Sequence, residues 1–348
     1  MAELKVVRDE GGHRLAGPGQ LVETTNGFLS HLAARGFAAA TVRGYAYDLL
    51  NFARFLDERG LGLGEVVATD LFDWLEWQAK PPQGSGTVVR LDQARGAAPA
   101  TMNRRVAAVR GLFEYAVIVG LRDDNPVPAP RRASGLRRRR GLLGKVRTRR
   151  AGSGGRLVRQ PRRLPDSLDP EDVTAFLADL NTHRDRAIVL AMVQGGLRAS
   201  EVRALRLADV DVGLRQLRVI GKGGRERIVP VDRAFFAELV AYLHEERPAG
   251  LDTNAVFVVL RGPTYGQPLT EAGLRKVFRI HRASSGATRV RPHRLRHTYG
   301  TELAAAGIDL LVLQELMGHA NPETTSAYVH LSAETLAAEY ARARKACQ

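Results

Sequence analysis

Cysteine is nearly absent from this chain of 348 residues, since Cys347 is the only one. A single cysteine excludes an intrachain disulfide and a metal site built on several cysteines, and it fits a reducing cytoplasm. The chain also has no run of 18 or more apolar residues, so the sequence predicts no membrane-spanning helix. The first residues are charged and contain no apolar signal-peptide segment, and we therefore expect no export.

Acidic residues are missing from one long segment, 131–163, which contains 13 Arg and one Lys. This segment carries +14 of the net charge of +15, so the rest of the chain is almost neutral. Its glycines and arginines bury little apolar surface, and we expect a disordered linker. A flexible polycation beside a duplex gains affinity by displacing counterions, so the linker is also predicted to strengthen DNA binding.

The composition of the whole chain, 44% apolar and 26% charged, is ordinary for a globular protein of about two domains. Apolar residues at helical spacing predict a small four-helix domain, in which Thr41 is expected to cap one helix. Another helix is predicted from Asp70 to Lys80, and a fourth follows Thr101. The predicted organisation is an N-terminal tail at 1–19, a helical domain at 20–130, a basic linker at 131–164 and a second domain at 165–348.

The second domain is predicted to be mainly α with a small antiparallel β-sheet. Strands at 215–220 and 225–231 flank the turn Gly221-Lys-Gly-Gly224, whose composition indicates a hairpin. Asp209 and Asp211 are interpreted as loop residues before a strand. Helices are predicted over 170–180, 183–195, 199–207, 232–246, 270–283, 292–306, 309–317, 322–330 and 333–345.

Arginine and histidine recur in two motifs of this domain. The sequence Arg291-Pro-His-Arg-Leu-Arg-His-Thr-Tyr-Gly-Thr301 places His293 and Arg296 three positions apart, so on a helix both side chains project from one face. Arg198 lies in Gly195-Gly-Leu-Arg-Ala-Ser-Glu-Val202. Cleavage of a phosphodiester builds negative charge on its oxygens, which guanidinium groups offset without a metal ion. Each arginine taken alone would instead be interpreted as a surface residue or an ion-pair partner.

The histidines and the turn lysine have other interpretations. His293 alone is an ordinary hydrogen-bonded histidine. Its spacing of four from His297 matches a zinc-binding helix, but the glutamate of His-Glu-x-x-His is missing, because Arg294 follows His293. Lys222 lies in a turn that fails the phosphate-loop pattern, and it is either a solvated lysine or a proton donor. His319 either caps helix carbonyls or donates to a phosphate oxygen.

Tyr328 is the candidate nucleophile. It lies in Leu316-Met-Gly-His-Ala-Asn-Pro-Glu-Thr-Thr-Ser-Ala-Tyr-Val-His330, and a lone tyrosine in such a helix is usually a core residue. A phenol has an ordinary pKa of about 10 and needs activation at neutral pH. Two nearby arginines would favour the phenolate, and a neutral imidazole would accept the proton.

Together these elements resemble the tyrosine recombinases, the phage integrase family. The family's order of Arg, Lys, His-x-x-Arg, His and Tyr is matched within 195–330, and the N-terminal helices resemble its core-binding domain. The resemblance implies a helical core-binding domain followed by an α+β catalytic domain. It carries over the catalytic residues Arg198, Lys222, His293, Arg296, His319 and Tyr328. It implies DNA contacts by Thr41, Arg43, Thr101, Asn103, Arg104 and Arg105.

The resemblance also implies the reaction. Tyr328 attacks the scissile phosphate, forming a 3′-phosphotyrosine link and releasing a 5′-hydroxyl, with no metal, ATP or other cofactor. Arg198, Arg296 and His319 hold the phosphate, Lys222 is the general acid and His293 assists as acid and base. A homotetramer then exchanges strands between two paired duplex sites. It would work in the cytoplasm at the nucleoid, without a membrane partner. The resemblance leaves open whether accessory proteins take part. It also leaves open whether the helix at 333–345 docks on its own subunit or on a neighbour.

Two departures from the family bear on the role. The basic linker is longer than usual, and the stretch before residue 20 is too short for the separate arm-binding domain of some phage integrases. We therefore expect a simpler recombinase of a transposon, plasmid, prophage or chromosome-resolution system. The alternatives are a type IB topoisomerase, which relaxes DNA with the same nucleophile, and a non-catalytic DNA-binding accessory protein. A carboxylate transposase is not favoured, because no motif supports it.

Overall fold

The structure, a computed structural model, describes residues 4–9, 12–18, 20–80, 96–128, 157–159, 167–221 and 223–318. The chain divides into two units, Met1–Arg162 and Arg163–Gln348. No helix within the described ranges is both long and apolar enough to cross a membrane. The predicted linker, apart from residues 157–159, lies outside the described residues, as do the helices predicted over 322–330 and 333–345.

The first unit is built on helices whose apolar faces meet in one core. Phe52 lies at its centre, with its ring edge-on to Trp74 and Phe113 at centroid distances of 4.9 and 6.0 Å. All three side chains are fully buried, which accounts for much of the apolar surface that this small core removes from water. The helices are α1 (Gln20–Ala34), α2 (Ala39–Arg59), α3 (Ala68–Ala79) and α4 (Pro99–Ile118).

The stretch predicted to be an N-terminal tail contains a β-hairpin instead. Strands β1 (Lys5–Asp9) and β2 (Gly12–Ala16) pair antiparallel, and Leu15 is buried among the helices. The side chain of Asn26 accepts from the backbone N–H of Leu15 at 2.8 Å and donates to its carbonyl at 3.0 Å. The hairpin was missed because its strands are short and only Leu15 contributes a fully buried side chain.

The prediction that Thr41 caps α2 is wrong. The helix begins at Ala39 after Ala38, which has extended backbone angles, and the N–H of Thr41 already donates to the Ala38 carbonyl at 2.7 Å. Alanine has the highest helix propensity, so the helix begins at Ala39 and Ala40 without a side-chain cap.

In the second unit, helix α6 (His183–Val193) is buried on all sides from Ala187 to Met192, as expected for an apolar helix in a domain core. It packs against α8 (Arg233–Ala241), which continues as a π-helical turn over Tyr242–Glu246, and against α10 (Pro292–Ala305). The other helices are α5 (Pro170–Asp179), α7 (Ala199–Ala204), α9 (Glu271–Ser284) and α11 (Leu310–Met317).

The sheet of this unit has the antiparallel order β3-β4-β5, with β3 at Val210–Asp211, β4 at Gln216–Ile220 and β5 at Glu226–Pro230. The hairpin and the mainly helical fold class are confirmed. The prediction that Asp211 is a loop residue is wrong, because Asp211 lies in strand β3 and is paired with Gln216. Two residues are too few for alternation to reveal a strand. Asp209, in a short 3-10 turn, accepts hydrogen bonds from the Arg206 N–H and the Arg218 guanidinium.

Candidate active site

Arg198 is held at the start of α7 by a turn that only glycine allows. Gly196 has a φ of +61°, and a Cβ there would lie 2.4 Å from the ring of Tyr299 on α10. The chain can therefore pass directly over α10 before Arg198 adopts the extended conformation that precedes the helix. About a third of the Arg198 side chain is exposed. The guanidinium is thus fixed by its surroundings yet open to a ligand.

His293 and Arg296 lie on the first turns of α10, which begins at Pro292, a residue well suited to the first position of a helix. Arg296 is buried, and it donates to the carbonyls of Gly196 and Met317. The structure therefore brings Arg296 to the turn before Arg198, although the two arginines are far apart in sequence. His293 is exposed beside them.

A buried carboxylate, which the sequence argument did not single out, organises these arginines. Glu201 accepts from the backbone N–H of Arg198 at 2.8 Å and from its guanidinium at 2.6 Å. Arg227 on β5 donates to both Glu201 oxygens at 3.0 and 2.8 Å, and Arg296 is 3.8 Å away. Burial disfavours the charged form, but the hydrogen bonds from Arg227 and Arg198 outweigh it and lower the pKa of Glu201 to about 2. Glu201 is thus ionised at neutral pH.

The same three arginines, Arg198, Arg227 and Arg296, donate hydrogen bonds to the C-terminal end of α11. The carbonyl of Leu316 accepts from Arg227 at 2.9 Å, that of Met317 from Arg296, and that of Gly318 from Arg198 at 3.0 Å. The last carbonyls of a helix have no partners within it and carry partial negative charge, so guanidinium groups satisfy them well. Three consecutive carbonyls thus bind three different arginines immediately before residue 319.

The charge of this cluster suits an anion. Three guanidinium groups face one carboxylate, which gives a net charge of +2. A phosphodiester carries one negative charge and gains more as it is attacked, so the cluster would stabilise the transition state more than the substrate. Glu201 could have been found from its position, because an acid three residues after a helix N-cap is the residue that bonds back to the N-cap backbone.

The two histidines of α10 contact each other. The Nε2 atoms of His293 and His297 are 2.9 Å apart, so one imidazole donates and the other accepts. Desolvation, Arg296 and Arg198 lower the pKa of His293. Desolvation, with His293, Arg296 and Arg294, lowers the pKa of His297 to about 4. Both rings are therefore neutral at physiological pH, and His293 is able to accept a proton there.

Lys222, His319 and Tyr328 lie outside the described residues, so their predicted roles stay predictions. The structure brings together the other three predicted catalytic residues, Arg198, His293 and Arg296. It also describes the chain on either side of Lys222 and up to Gly318, the residue before His319.

The six predicted DNA contacts in the first unit differ in their surroundings. Arg104 is more than half exposed and forms an ion pair with the buried Asp48 at 2.8 Å. Arg105 lies 3.9 Å from Asp48 and donates a hydrogen bond to the Gln78 side chain. Burial raises the pKa of Asp48 to about 6, against the opposing effect of both arginines. The Arg104 side chain is thus paired at one end with a buried carboxyl group, and more than half of its surface stays exposed to solvent.

Asn103, Arg43, Thr41 and Thr101 are the other four predicted DNA contacts. Asn103 donates to and accepts from the backbone of Val158, at 2.8 and 3.1 Å, so its side chain is engaged within the unit. Arg43 is exposed, with its guanidinium 5.9 Å from the ring centre of Tyr47. Thr41 and Thr101 are half-buried. DNA contact by these residues is still a prediction.

Comparison with known proteins identifies the family. The model of the phage integrase family matches residues 166–335, and that of the phage integrase N-terminal SAM-like domain matches residues 25–119. The tyrosine recombinase XerD of Mycobacterium tuberculosis (strain H37Rv) is 33% identical over 341 residues, covering 91% of this chain and 97% of the relative. The tyrosine recombinase XerC of Mycobacterium sp. (strain JLS) is 33% identical over 314 residues, covering 89% and 94%.

Solved structures have the same fold. XerH site-specific recombinase bound to palindromic difH substrate, in a post-cleavage complex, aligns with a TM-score of 0.62 at 21% identity, covering 90% of this chain and 83% of that one. The Tn1549 transposon integrase in complex with circular intermediate DNA also gives a TM-score of 0.62, at 19% identity, covering 91% and 98%.

The chain therefore belongs to the tyrosine recombinase family. It is a site-specific recombinase, an enzyme that exchanges DNA strands with a tyrosine as nucleophile.

Proposed function

We propose that the six residues Arg198, Lys222, His293, Arg296, His319 and Tyr328 carry out cleavage and rejoining of duplex DNA at specific sites. The observation that carries this proposal is the convergence of Arg198 and Arg296 on Glu201 and on the end of α11. This arrangement fixes two permanent cations next to the segment that leads to Tyr328, nine residues after His319.

In the first step the phenolic oxygen of Tyr328 attacks the scissile phosphorus. The P–O5′ bond breaks, a 3′-phosphotyrosine link forms, and the 5′-oxygen leaves as a hydroxyl with a proton from Lys222. The phenolic proton passes to His293, whose lowered pKa keeps it neutral. Arg198, Arg296 and His319 hold the non-bridging oxygens. In the second step a 5′-hydroxyl of the other duplex attacks the phosphorus and gives its proton to Lys222. The bond between phosphorus and the Tyr328 oxygen breaks, and His293 returns a proton to the phenol.

The covalent link conserves the energy of the phosphodiester, so the reaction needs neither ATP nor a metal ion. We propose that a homotetramer on two paired sites carries it out through a Holliday junction, with both units of each protomer contacting DNA. We propose that the reaction takes place in the cytoplasm at the nucleoid, because its substrate is duplex DNA. Solved neighbours bound to a recombination site and to a circular transposon intermediate support duplex DNA with a recombination site as the substrate.

A plasmid that carries two copies of the duplex flanking the coding locus tests this function. In EDTA and without ATP, the protein should produce two recombinant circles with exchanged flanking sequence, detected by gel electrophoresis and junction sequencing. A plasmid with one copy is the control and should give no smaller circle. Relaxation without recombinants would identify a topoisomerase, and binding without any strand cleavage would identify an accessory protein.

The basic segment is expected to contribute to affinity by neutralising phosphates. Residues 136–155 contain eight basic side chains, and exchanging this stretch for Gly and Ser of equal length removes them while leaving Val158 bonded to Asn103. The slope of log affinity against log salt should become shallower by about 0.9 for every phosphate that the variant no longer neutralises. Fluorescence anisotropy from low to moderate salt measures this slope. An unchanged slope would show that the segment does not touch DNA.

A further inference from the structure

Arg227 is a charged residue at a position where the strand pattern calls for an apolar one. In β5 the even positions Glu226 and Ile228 are exposed, whereas Arg227 shares the buried face with Val229. A buried guanidinium is costly unless every part of it is paired. We therefore expect its guanidinium nitrogens to have hydrogen-bond partners inside the core.

The partners of Arg227 come from two other segments of the chain. Its terminal nitrogens bond both oxygens of Glu201, and its Nε bonds the carbonyl of Leu316. Gly318 fits closely against it, because a Cβ on that residue would lie 3.0 Å from Nη1. The guanidinium thus fills the space between the start of α7 and the end of α11.

These bonds fix the β4–β5 hairpin relative to the phosphate-binding arginines. Lys222 stands five residues before Arg227 in the sequence, between Gly221 and Gly223, and strand β5 of the hairpin packs against α11. Gly221, at the base of the turn, lies against this anchor, since a Cβ there would be 3.5 Å from Arg227 Nη1 and 3.7 Å from Glu201. A displacement of Arg227 would therefore move the turn away from Arg198.

We infer that Arg227 is a positioning residue that holds the β4–β5 hairpin where its turn delivers a proton to the leaving 5′-oxygen. Arg227 itself does not donate that proton, because its side chain is only 4% exposed and is committed to Glu201 and Leu316. This inference rests on the proposed function, in which Lys222 is the general acid.

The test compares Arg227→Met and Arg227→Lys with the wild-type protein in single-turnover cleavage of a nicked duplex from the flanking site. A second substrate has sulfur in place of the bridging 5′-oxygen. A thiol ionises far more readily than an alcohol, so this leaving group does not need a proton donor. General acid catalysis contributes about 10²–10⁴-fold. We expect both variants to lose about 100-fold or more on the oxygen substrate and to come within about 10-fold of wild type on the sulfur substrate.

Three controls make the outcome specific. Lys222→Ala should show the same preference for sulfur, and Arg233→Met, an exposed arginine at the start of α8, should behave as wild type. Thermal unfolding and DNA binding show whether each variant folds. If Arg227→Met does not fold, the cleavage rates of Arg227→Lys, which keeps the positive charge, decide whether the inference holds. Equal losses on both substrates, or full cleavage of the oxygen substrate, would overturn the inference. Failure of the wild-type protein to cleave either substrate would refute the proposed function instead.

Discussion

Tyr328→Phe is expected to abolish the covalent protein–DNA adduct completely while leaving DNA binding within about twofold of wild type. The phenolic oxygen is the atom that forms the bond to phosphorus, and phenylalanine lacks it. Affinity comes mainly from phosphate contacts by basic side chains, which this substitution does not change. A nicked suicide duplex in EDTA traps the adduct, and denaturing gel electrophoresis measures it.

The matched control is Tyr265→Phe, which removes an exposed hydroxyl from the same unit and should leave adduct formation unchanged. Mass spectrometry of a protease digest should find the nucleotide on the peptide that contains residue 328. If the adduct formed normally in the phenylalanine variant, another residue would be the nucleophile, and the catalytic role given to Tyr328 would be wrong.

Glu201→Gln is expected to destabilise the second unit by about 3–5 kcal/mol at pH 7, the typical cost of removing one partner of a buried ion pair. Glutamine has nearly the same shape, so packing is kept. The loss is electrostatic, because Arg227 and Arg296 stay buried without the carboxylate that neutralises them. Urea unfolding followed by far-UV circular dichroism measures the change, with Glu226→Gln on the exposed face of β5 as the control.

The same variant has a predictable dependence on pH. Because the folded pKa of Glu201 is lowered from 4.5 to about 2, its charge stabilises the folded protein fully above pH 4.5. That contribution decreases as the pH falls from 4.5 through 2, since the carboxyl is then protonated in the folded state too. The stability difference between wild type and variant should therefore narrow in that range. A difference that stays constant with pH, or one absent at pH 7, would show that the carboxylate charge does not hold the arginines.

The residues of the site that could be predicted are those that lie in local sequence motifs. Arg198 and Arg296 stand in short motifs with a defined spacing to other polar residues, and the helix that carries Arg296, α10, was predicted to within one residue of its end. The bounds of β4 and β5 were predicted to within one residue, because the glycine-rich turn between them indicated a hairpin. Such patterns depend only on neighbours in the sequence.

The part that was missed depends on contacts between distant segments. Arg227 and Glu201 are 26 residues apart, and Arg227 and Leu316 are 89 apart, so no local pattern pairs them. The buried register position of Arg227 was a usable signal, because an inward-facing charge in a short strand requires a partner. In the first unit, the hydrogen bonds between Asn103 and Val158 were missed for the same reason, because these residues are 55 apart in the sequence.

The atoms at the end of α11 that accept hydrogen bonds from the arginines are main-chain carbonyl oxygens. These hydrogen bonds therefore do not depend on the side chains of residues 316 and 317. A substitution at an exposed position of this helix, such as Leu311 or Val312, can therefore leave the orientation of the arginines unchanged. An insertion or deletion of one residue is different, because it would rotate these oxygens by about 100° around the helix axis.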